Sequence, residues 1–265
     1  MKQRKPLMFL ASFGRILESY RMSNVHLPWY QVRRVEGHSY LPRLLPVEPI
    51  IVDLGANHGE FCAAMEQGHK ARCIAVEPNP LLASEIEGRG IAERVIEVAV
   101  GDRNGSAAFT VADVDVASKL LLSGSPQDSE EIDVRTSTLF CLLDDLCYPR
   151  IDILKVDIEG MEVVALTGLK LRQLQTISQI TVEFHDVHGY VTSDQIRSTY
   201  RHLSKAGFRR FRSSVSDRQD VLFVNSAVLG LFGWACTYVL SIAGAAAQRR
   251  IRTHYGRANP YSLSS

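Results

Sequence analysis

Residues 50–61, Ile50-Ile51-Val52-Asp53-Leu54-Gly55-Ala56-Asn57-His58-Gly59-Glu60-Phe61, constrain this chain more than any other stretch. A short run of β-branched and apolar residues leads into an acid, then a turn punctuated by two glycines, then residues that tolerate a helix. That pattern reads as a buried strand, a tight loop and a helix start. Gly55 and Gly59 let backbone N–H groups approach a ligand without a Cβ in the way. The helix N-terminus behind them favours negative charge. The spacing is an acid followed by G-x-x-x-G, not the G-x-G-x-x-G of dinucleotide-binding folds. A nicotinamide-dependent oxidoreductase is therefore a weaker alternative.

The chain of 265 residues has room for one domain with appendages. Its residues are 46% hydrophobic, enough for a full core, and its net charge of +1 gives no reason to expect a nucleic-acid partner. The five cysteines, Cys62, Cys73, Cys141, Cys147 and Cys236, form no C-x-x-C pair and have no metal spacing. Buried, reduced thiols in a reducing compartment are the plain expectation, which points to the cytoplasm. Residues 2–20 read as a helix with a cationic start. Arg15 and Glu18 interrupt its apolar run, and no small-residue cleavage site follows, so it does not read as a signal peptide. Phe9, Leu10, Phe13, Ile16, Leu17 and Tyr20 share one face of that helix, which suits packing on the domain or lying on a membrane surface. Residues 22–49 carry Pro28, Pro42, Pro46 and Pro49 and read as an irregular lead-in. The expected organisation is a lead-in over 1–49, a catalytic domain over 50–225 and an apolar helix with a basic tail over 226–265.

Within the domain, residues 72–77 form a second buried strand ending in Glu77, followed by a proline-marked helix start. An acid at that strand end, about twenty residues beyond the glycine loop, is placed to accept hydrogen bonds from ribose hydroxyls. Residues 95–100 read as a third strand, with Asp102 just beyond it as a candidate for the adenine edge. Residues 107–111 and 132–138 are strand-like, and 142–146 is a short helix candidate.

Residues 151–160 and 179–186 are the fourth and fifth strands, and both are anomalous. Central parallel strands are buried on both faces and should be nearly all apolar. Here Lys155, Asp157 and Glu159 alternate with apolar residues, as do Thr181, Glu183 and His185. Buried charge must be paired or must meet a ligand. An ion pair such as Lys155 with Glu183 is the structural explanation, and a reaction site at the carboxyl edge of the sheet is the functional one. Residues 161–175 should form the next helix, with Glu162 in its first turn, and 194–206 another. Residues 208–212 and 221–224 read as a closing antiparallel pair.

These segments together resemble the FkbM family of methyltransferases. The resemblance is carried by Val52-Asp53-Leu54-Gly55-Ala56-Asn57-His58-Gly59, Val76-Glu77-Pro78-Asn79-Pro80 and Ala99-Val100-Gly101-Asp102-Arg103-Asn104-Gly105. It continues through Leu143-Asp144-Asp145-Leu146, Leu154-Lys155-Val156-Asp157-Ile158-Glu159-Gly160-Met161-Glu162 and Val182-Glu183-Phe184-His185. It implies an α/β, Rossmann-like class I methyltransferase fold: a doubly wound, mostly parallel seven-stranded sheet with a terminal antiparallel strand. It also implies S-adenosylmethionine as cofactor and a hydroxyl oxygen of a sugar, glycan, lipid or natural product as methyl acceptor. Asp53, Gly55, Asn57, His58, Gly59, Glu77, Asp102 and Asp157 are the cofactor-binding candidates. His58 departs from the aliphatic residue common at its place. Lys155, Asp157, Glu159, Glu183 and His185 are the catalytic candidates. Asp157 is expected near the transferring methyl, and His185 as base because an unperturbed imidazole titrates near neutral pH. Glu159, Glu162 and Glu183 are candidates to orient it. A divalent metal on Asp157, Glu183 and His185 is an option that the spacing does not require. A cofactor-binding module without turnover is the alternative from another functional class.

Residues 226–247 carry no charge and are long enough to span a bilayer as one helix. Small residues Gly230, Gly233 and Gly244 share a stripe suited to close helix packing. Arg249, Arg250 and Arg252 follow at once and oppose a full span from a cytoplasmic domain. The expectation is a membrane-associated helix, shallowly inserted, re-entrant or paired with the N-terminal helix, ahead of a helix packed on the domain or on a second copy of the chain and of a full span.

Overall fold

The computed structural model describes residues 32–111, 119–120, 130–185, 191–211 and 220–229. Arg33–Val35 (β1) and His38–Tyr40 (β2) pair as an antiparallel hairpin. Glu36 and Gly37 turn it, with φ of 44° and 81°, positive at both positions as in a type I′ hairpin turn. A single 3-10 turn, Pro42–Leu44, follows. The irregular lead-in expected over 22–49 is therefore corrected in its described part. Strands of three residues are too short to show alternation, and the surrounding prolines masked the Glu-Gly turn.

Ile50–Leu54 (β3) is buried at every position and feeds Glu60–His69 (α1). Arg72–Val76 (β4), Pro80–Arg89 (α2) and Arg94–Ile96 (β5) complete this half of the main sheet. The expected third strand over 95–100 is split. β5 joins the main sheet, whereas Ala99–Val100 (β6) joins a second, four-stranded sheet with Gly105–Val111 (β7), Lys119–Leu120 (β8) and Glu130–Ser137 (β9), in the order β6-β9-β7-β8. The continuous apolar pattern hid the crossing between sheets. Leu139–Leu146 (α3) is capped by Thr138, whose side chain accepts from the Cys141 N–H.

Ile151–Val156 (β10) stops before Asp157, so the alternation of 155, 157 and 159 is half strand and half turn. Residues 161–175 form two short helices, Glu162–Gly168 (α4) and Leu171–Leu174 (α5), separated by extended backbone at Leu169 and Lys170. Ile177–Glu183 (β11), Ser193–Lys205 (α6), Phe208–Phe211 (β12) and Asp220–Asn225 (β13) finish the domain.

The main sheet has seven strands in the order β12-β13-β11-β10-β3-β4-β5. All neighbours are parallel except β13, which runs antiparallel to both β11 and β12. The antiparallel strand is thus last in sequence but next to last in space. This is the doubly wound arrangement expected of a class I methyltransferase fold. One face packs Val52, Leu54, Leu154, Val156, Ile180 and Val182 against α3, α4 and α6. The other packs Ile51, Cys73, Ala75 and Ile153 against Phe61, Cys62 and Met65 of α1 and Tyr40 of β2. Cys62 and Cys73 are buried free thiols as expected, whereas Cys147 is exposed.

Residues 226–229 begin a helix after β13. No helix among the described residues is long and apolar enough to cross a membrane. The helix expected over 2–20, the remainder of the apolar stretch 226–247 and Cys236 lie outside the described residues.

Candidate active site

The loop after β3 is pressed against the end of β10. Gly55 sits at φ +72°, and a Cβ there would lie 1.8 Å from the Asp157 carbonyl oxygen. Only glycine allows both that backbone and that approach. The chain turns again through Asn57, at φ 52°, and Gly59, at φ +79°. The Asn57 N–H donates to Glu77 Oε2 at 2.8 Å, and the Asn79 N–H to Glu77 Oε1 at 2.9 Å. Glu77 therefore clasps the glycine loop from the end of β4, and it is only 4% exposed. Burial pushes its carboxyl up to about 7, against the opposing pull of the two N–H donors and of Lys155. His58 turns its ring to Glu85, with Nδ1 2.8 Å from Oε2, at the outer side of the loop. Asp102 is exposed, lies 3.9 Å from Arg103 and follows β6 of the second sheet, not a strand of the main sheet.

One level of the main sheet carries the polar row that the alternation announced. Asp53, Lys155 and Thr181 are in register across β3, β10 and β11. Lys155 is buried, with Nζ 2.9 Å from Asp53 Oδ1 and 3.6 Å from Asp157 Oδ2, and it donates to the Gly55 carbonyl at 2.7 Å. Burial pulls its pKa down, but the two carboxylates outweigh burial and the net shift is upward. The anticipated Lys155–Glu183 ion pair is not formed; Asp53 takes that place.

Asp157 stands between two imidazoles. His38 Nε2 is 3.4 Å from Oδ2, and His185 Nε2 is 3.7 Å from Oδ1. Burial raises the Asp157 pKa, yet His38, Lys155 and His185 together hold it at about 2. His185 is enclosed by carboxylates: Nε2 is 3.3 Å from Glu159 Oε2, and Nδ1 is 2.7 Å from Oε1 of the fully buried Glu162. Burial lowers the His185 pKa, but Glu162, Glu159 and Asp157 raise it further, to about 9. At neutral pH His185 therefore holds its proton, unlike the unperturbed imidazole expected from sequence.

The polar face of β11 has a structural explanation that sequence reasoning missed. Gln179 bonds the Leu41 N–H and carbonyl at 2.8 and 3.2 Å, while Thr181 Oγ1 donates to Asp220 at 3.2 Å. Ser39 donates to Asp220 through both its N–H and its hydroxyl. The β1–β2 hairpin thus docks on β11 and β13 through side-chain bonds and carries His38, 1% exposed, to Asp157. The Glu36-Gly37 turn next to a histidine was the one available signal. Among the described residues, metal-ligand donors that lie within 4.8 Å of one another in threes fall into two groups, His38–Asp157–Glu183 and Asp157–Glu159–His185. The set Asp157–Glu183–His185 expected for one ion is thereby divided.

A model of the methyltransferase FkbM domain matches residues 53–210. The chain belongs to this family. Two curated relatives are each 26% identical to the FkbM-family chain. The 31-O-demethyl-FK506 methyltransferase FkbM of Streptomyces tacrolimicus aligns over 178 residues, 53% of this chain and 66% of the relative. The AMB antimetabolite synthetase AmbE of Pseudomonas aeruginosa aligns over 219 residues, 68% of this chain and 10% of that protein. The chain thus spans less than two thirds of either. A TehB-like SAM-dependent methyltransferase from Corynebacterium glutamicum is similar in outline only, with a TM-score of 0.39 and 11% identity over 82% of this chain and 97% of that one. The FkbM-matched segment begins at Asp53, so His38 and its hairpin lie outside it.

Proposed function

We propose that this FkbM-family chain transfers the methyl group of S-adenosylmethionine to a hydroxyl oxygen of a sugar, glycan, lipid or natural product. The observation that carries this reading is Asp157: an ionised carboxylate at the carboxyl edge of the sheet, against the glycine loop and between two imidazoles. Ligands of open α/β sheets bind at that edge. The family supports methyl transfer, and the curated relative whose printed name specifies a 31-O-demethyl substrate supports oxygen as the acceptor atom.

The residues fit the cofactor. Gly55 and Gly59 give the loop its positive-φ turns and let it lie against the Asp157 backbone, with Asn57 and His58 within the loop and Asp53 in the strand before it. Glu77, already accepting two N–H bonds, has acceptor lone pairs left for ribose hydroxyls. S-adenosylmethionine supplies an electrophilic methyl on a sulfonium, so the protein has mainly to align the acceptor and withdraw its proton. Asp157, backed by Lys155, fixes the edge where the acceptor enters. His185, paired with Glu159 and Glu162, and Glu183, grouped with Asp157 and His38, are the ionisable side chains at hand for that proton.

A divalent cation is a second reading of that cluster. The Asp157–Glu159–His185 donors converge, and Glu162 fixes the ring from behind as a supporting carboxylate does in metal sites. Cation and His185 proton are alternatives for one place, and Mn2+ binding measured by water-proton relaxation tells them apart. The uncharged stretch 226–247 is assigned to a membrane surface or a second copy of the chain, with the catalytic domain in the cytoplasm.

The test uses S-adenosylmethionine carrying a trideuterated methyl, with a small-molecule and lipid extract as acceptor pool. Mass spectrometry should find labelled products that base treatment does not cleave, as expected of ethers. Tight S-adenosylhomocysteine binding with no labelled product would favour the binding-only module. Binding of NADH in its place would favour the oxidoreductase.

A further inference from the structure

Four carboxylates meet at the carboxyl edge around β10 and β11, and three of them have protein partners. Glu162 holds His185 Nδ1 and the Gly160 N–H. Glu159 faces His185 Nε2 at 3.3 Å. Asp157 faces Lys155, His38 and His185. The side chain of Glu183, the last residue of β11, has no hydrogen bond or ion pair among the described residues. It is also the member of this set that was expected to orient His185 and does not touch it. Its carboxylate converges with His38 and Asp157, all donors within 4.8 Å. Glu183 is half-buried, so it is open to a ligand while still shielded.

We propose that Glu183 is the general base that takes the proton from the acceptor hydroxyl. This assignment rests on the methyl-transfer reading of the site. The other candidates are spent. His185 has both ring nitrogens facing carboxylates, and Asp157 is engaged by Lys155, His38 and His185. Glu159 is engaged by His185. The Glu183 carboxylate has no such partner among the described residues and stands beside Asp157 and His38, where burial and the Asp157 charge also raise its pKa. The groups that face it are Asp157 after β10, His185 after β11, His38 on β2 and Asp220 on β13; the histidines pull its pKa down, while Asp220 adds to the rise. In the step, the acceptor oxygen forms its bond to the methyl carbon as the methyl–sulfur bond breaks, leaving a neutral thioether. The hydroxyl proton passes to a Glu183 oxygen and then to solvent. His185, between Glu159 and Glu162, keeps those carboxylates in place.

Glu183→Gln in the full chain tests this, with trideuteromethyl-labelled S-adenosylmethionine and the same extract as acceptor pool. The variant should bind S-adenosylhomocysteine within about threefold of the wild type and lose turnover on the order of 100-fold or more, a typical general-base contribution. Measured at saturating S-adenosylmethionine, where the Glu77 effect on cofactor affinity drops out, the acidic limb of the wild-type kcat profile should disappear in Glu183→Gln and return in Glu183→Asp. A Glu183→Gln variant with near-normal turnover, or one that keeps the acidic limb, overturns the base while leaving methyl transfer standing. A wild-type chain that binds no S-adenosylhomocysteine and labels no acceptor overturns the methyl-transfer reading and the base with it.

Discussion

Glu77 is pulled two ways. Two backbone N–H donors and the proposed ribose hydroxyls want a carboxylate, whereas burial wants the neutral acid and lifts its pKa from 4.5 to about 7. A carboxyl whose folded pKa is raised adds stability that is complete below its unfolded pKa and is lost as pH rises through the folded one. Stability should therefore fall between about pH 4.5 and 7 on account of this group, while cofactor affinity rises through the same window because only the ionised form accepts freely. Calorimetry with S-adenosylhomocysteine should show affinity falling up to about tenfold per pH unit below about 7 in the wild type, and a flatter profile in Glu77→Gln. Glu77→Ala should weaken binding by about 1–3 kcal/mol at neutral pH. At Gly55 a methyl group would collide with the Asp157 carbonyl at 1.8 Å and force a positive-φ backbone on alanine. Gly55→Ala should cost about 2–4 kcal/mol in chemical denaturation and abolish cofactor binding, because two loops must part. Asp53, Gly55, Gly59 and Glu77 were legible in the sequence because spacing along one βα unit fixes where they fall. His38 was not, because its partner Asp157 is more than a hundred residues away and only the tertiary fold joins them.

At the scale of elements, polar alternation in β10 and β11 announced that charge would be buried, but not how it would be satisfied. Half of the answer is the Asp53–Lys155 pair across β3 and β10. The other half is the β1–β2 hairpin, whose Ser39 and Leu41 bond Asp220 and Gln179. Prolines drew attention away from that hairpin. The third strand was misread because hydrophobic pattern reports burial and not which sheet does the burying. Asp220 is 4% exposed and accepts from Ser39 and Thr181. Asp220→Ala would leave those donors unpaired. It should lower stability by about 2–4 kcal/mol, read from the urea midpoint. Turnover should fall more than S-adenosylhomocysteine affinity does, because the hairpin brings His38 to Asp157 while the cofactor loop hangs on β3 and β4.

For the molecule as a whole, the strand order brings the carboxyl ends of β3, β4, β10 and β11 together, and the glycine loop, Glu77, Asp157 and His185 all lie there. Each strand–loop–helix unit in the sequence pointed to this layout, since parallel strands joined by helices leave few alternatives. The segment 226–247 belongs to the same scale. Full-length protein should pellet with membranes through a high-salt wash and become soluble when truncated after Asn225; full-length protein that stays in the supernatant without detergent would leave a packing or dimer contact instead. The central claim is that methyl transfer takes place against Asp157, and Asp157→Asn tests it most directly. The asparagine keeps the shape of the side chain but removes the charge that faces Lys155, His38 and His185. With trideuteromethyl-labelled S-adenosylmethionine, the account predicts that this variant still binds S-adenosylhomocysteine within about tenfold of wild type yet loses labelled product by roughly 100-fold or more. Near-normal labelling by Asp157→Asn would contradict it.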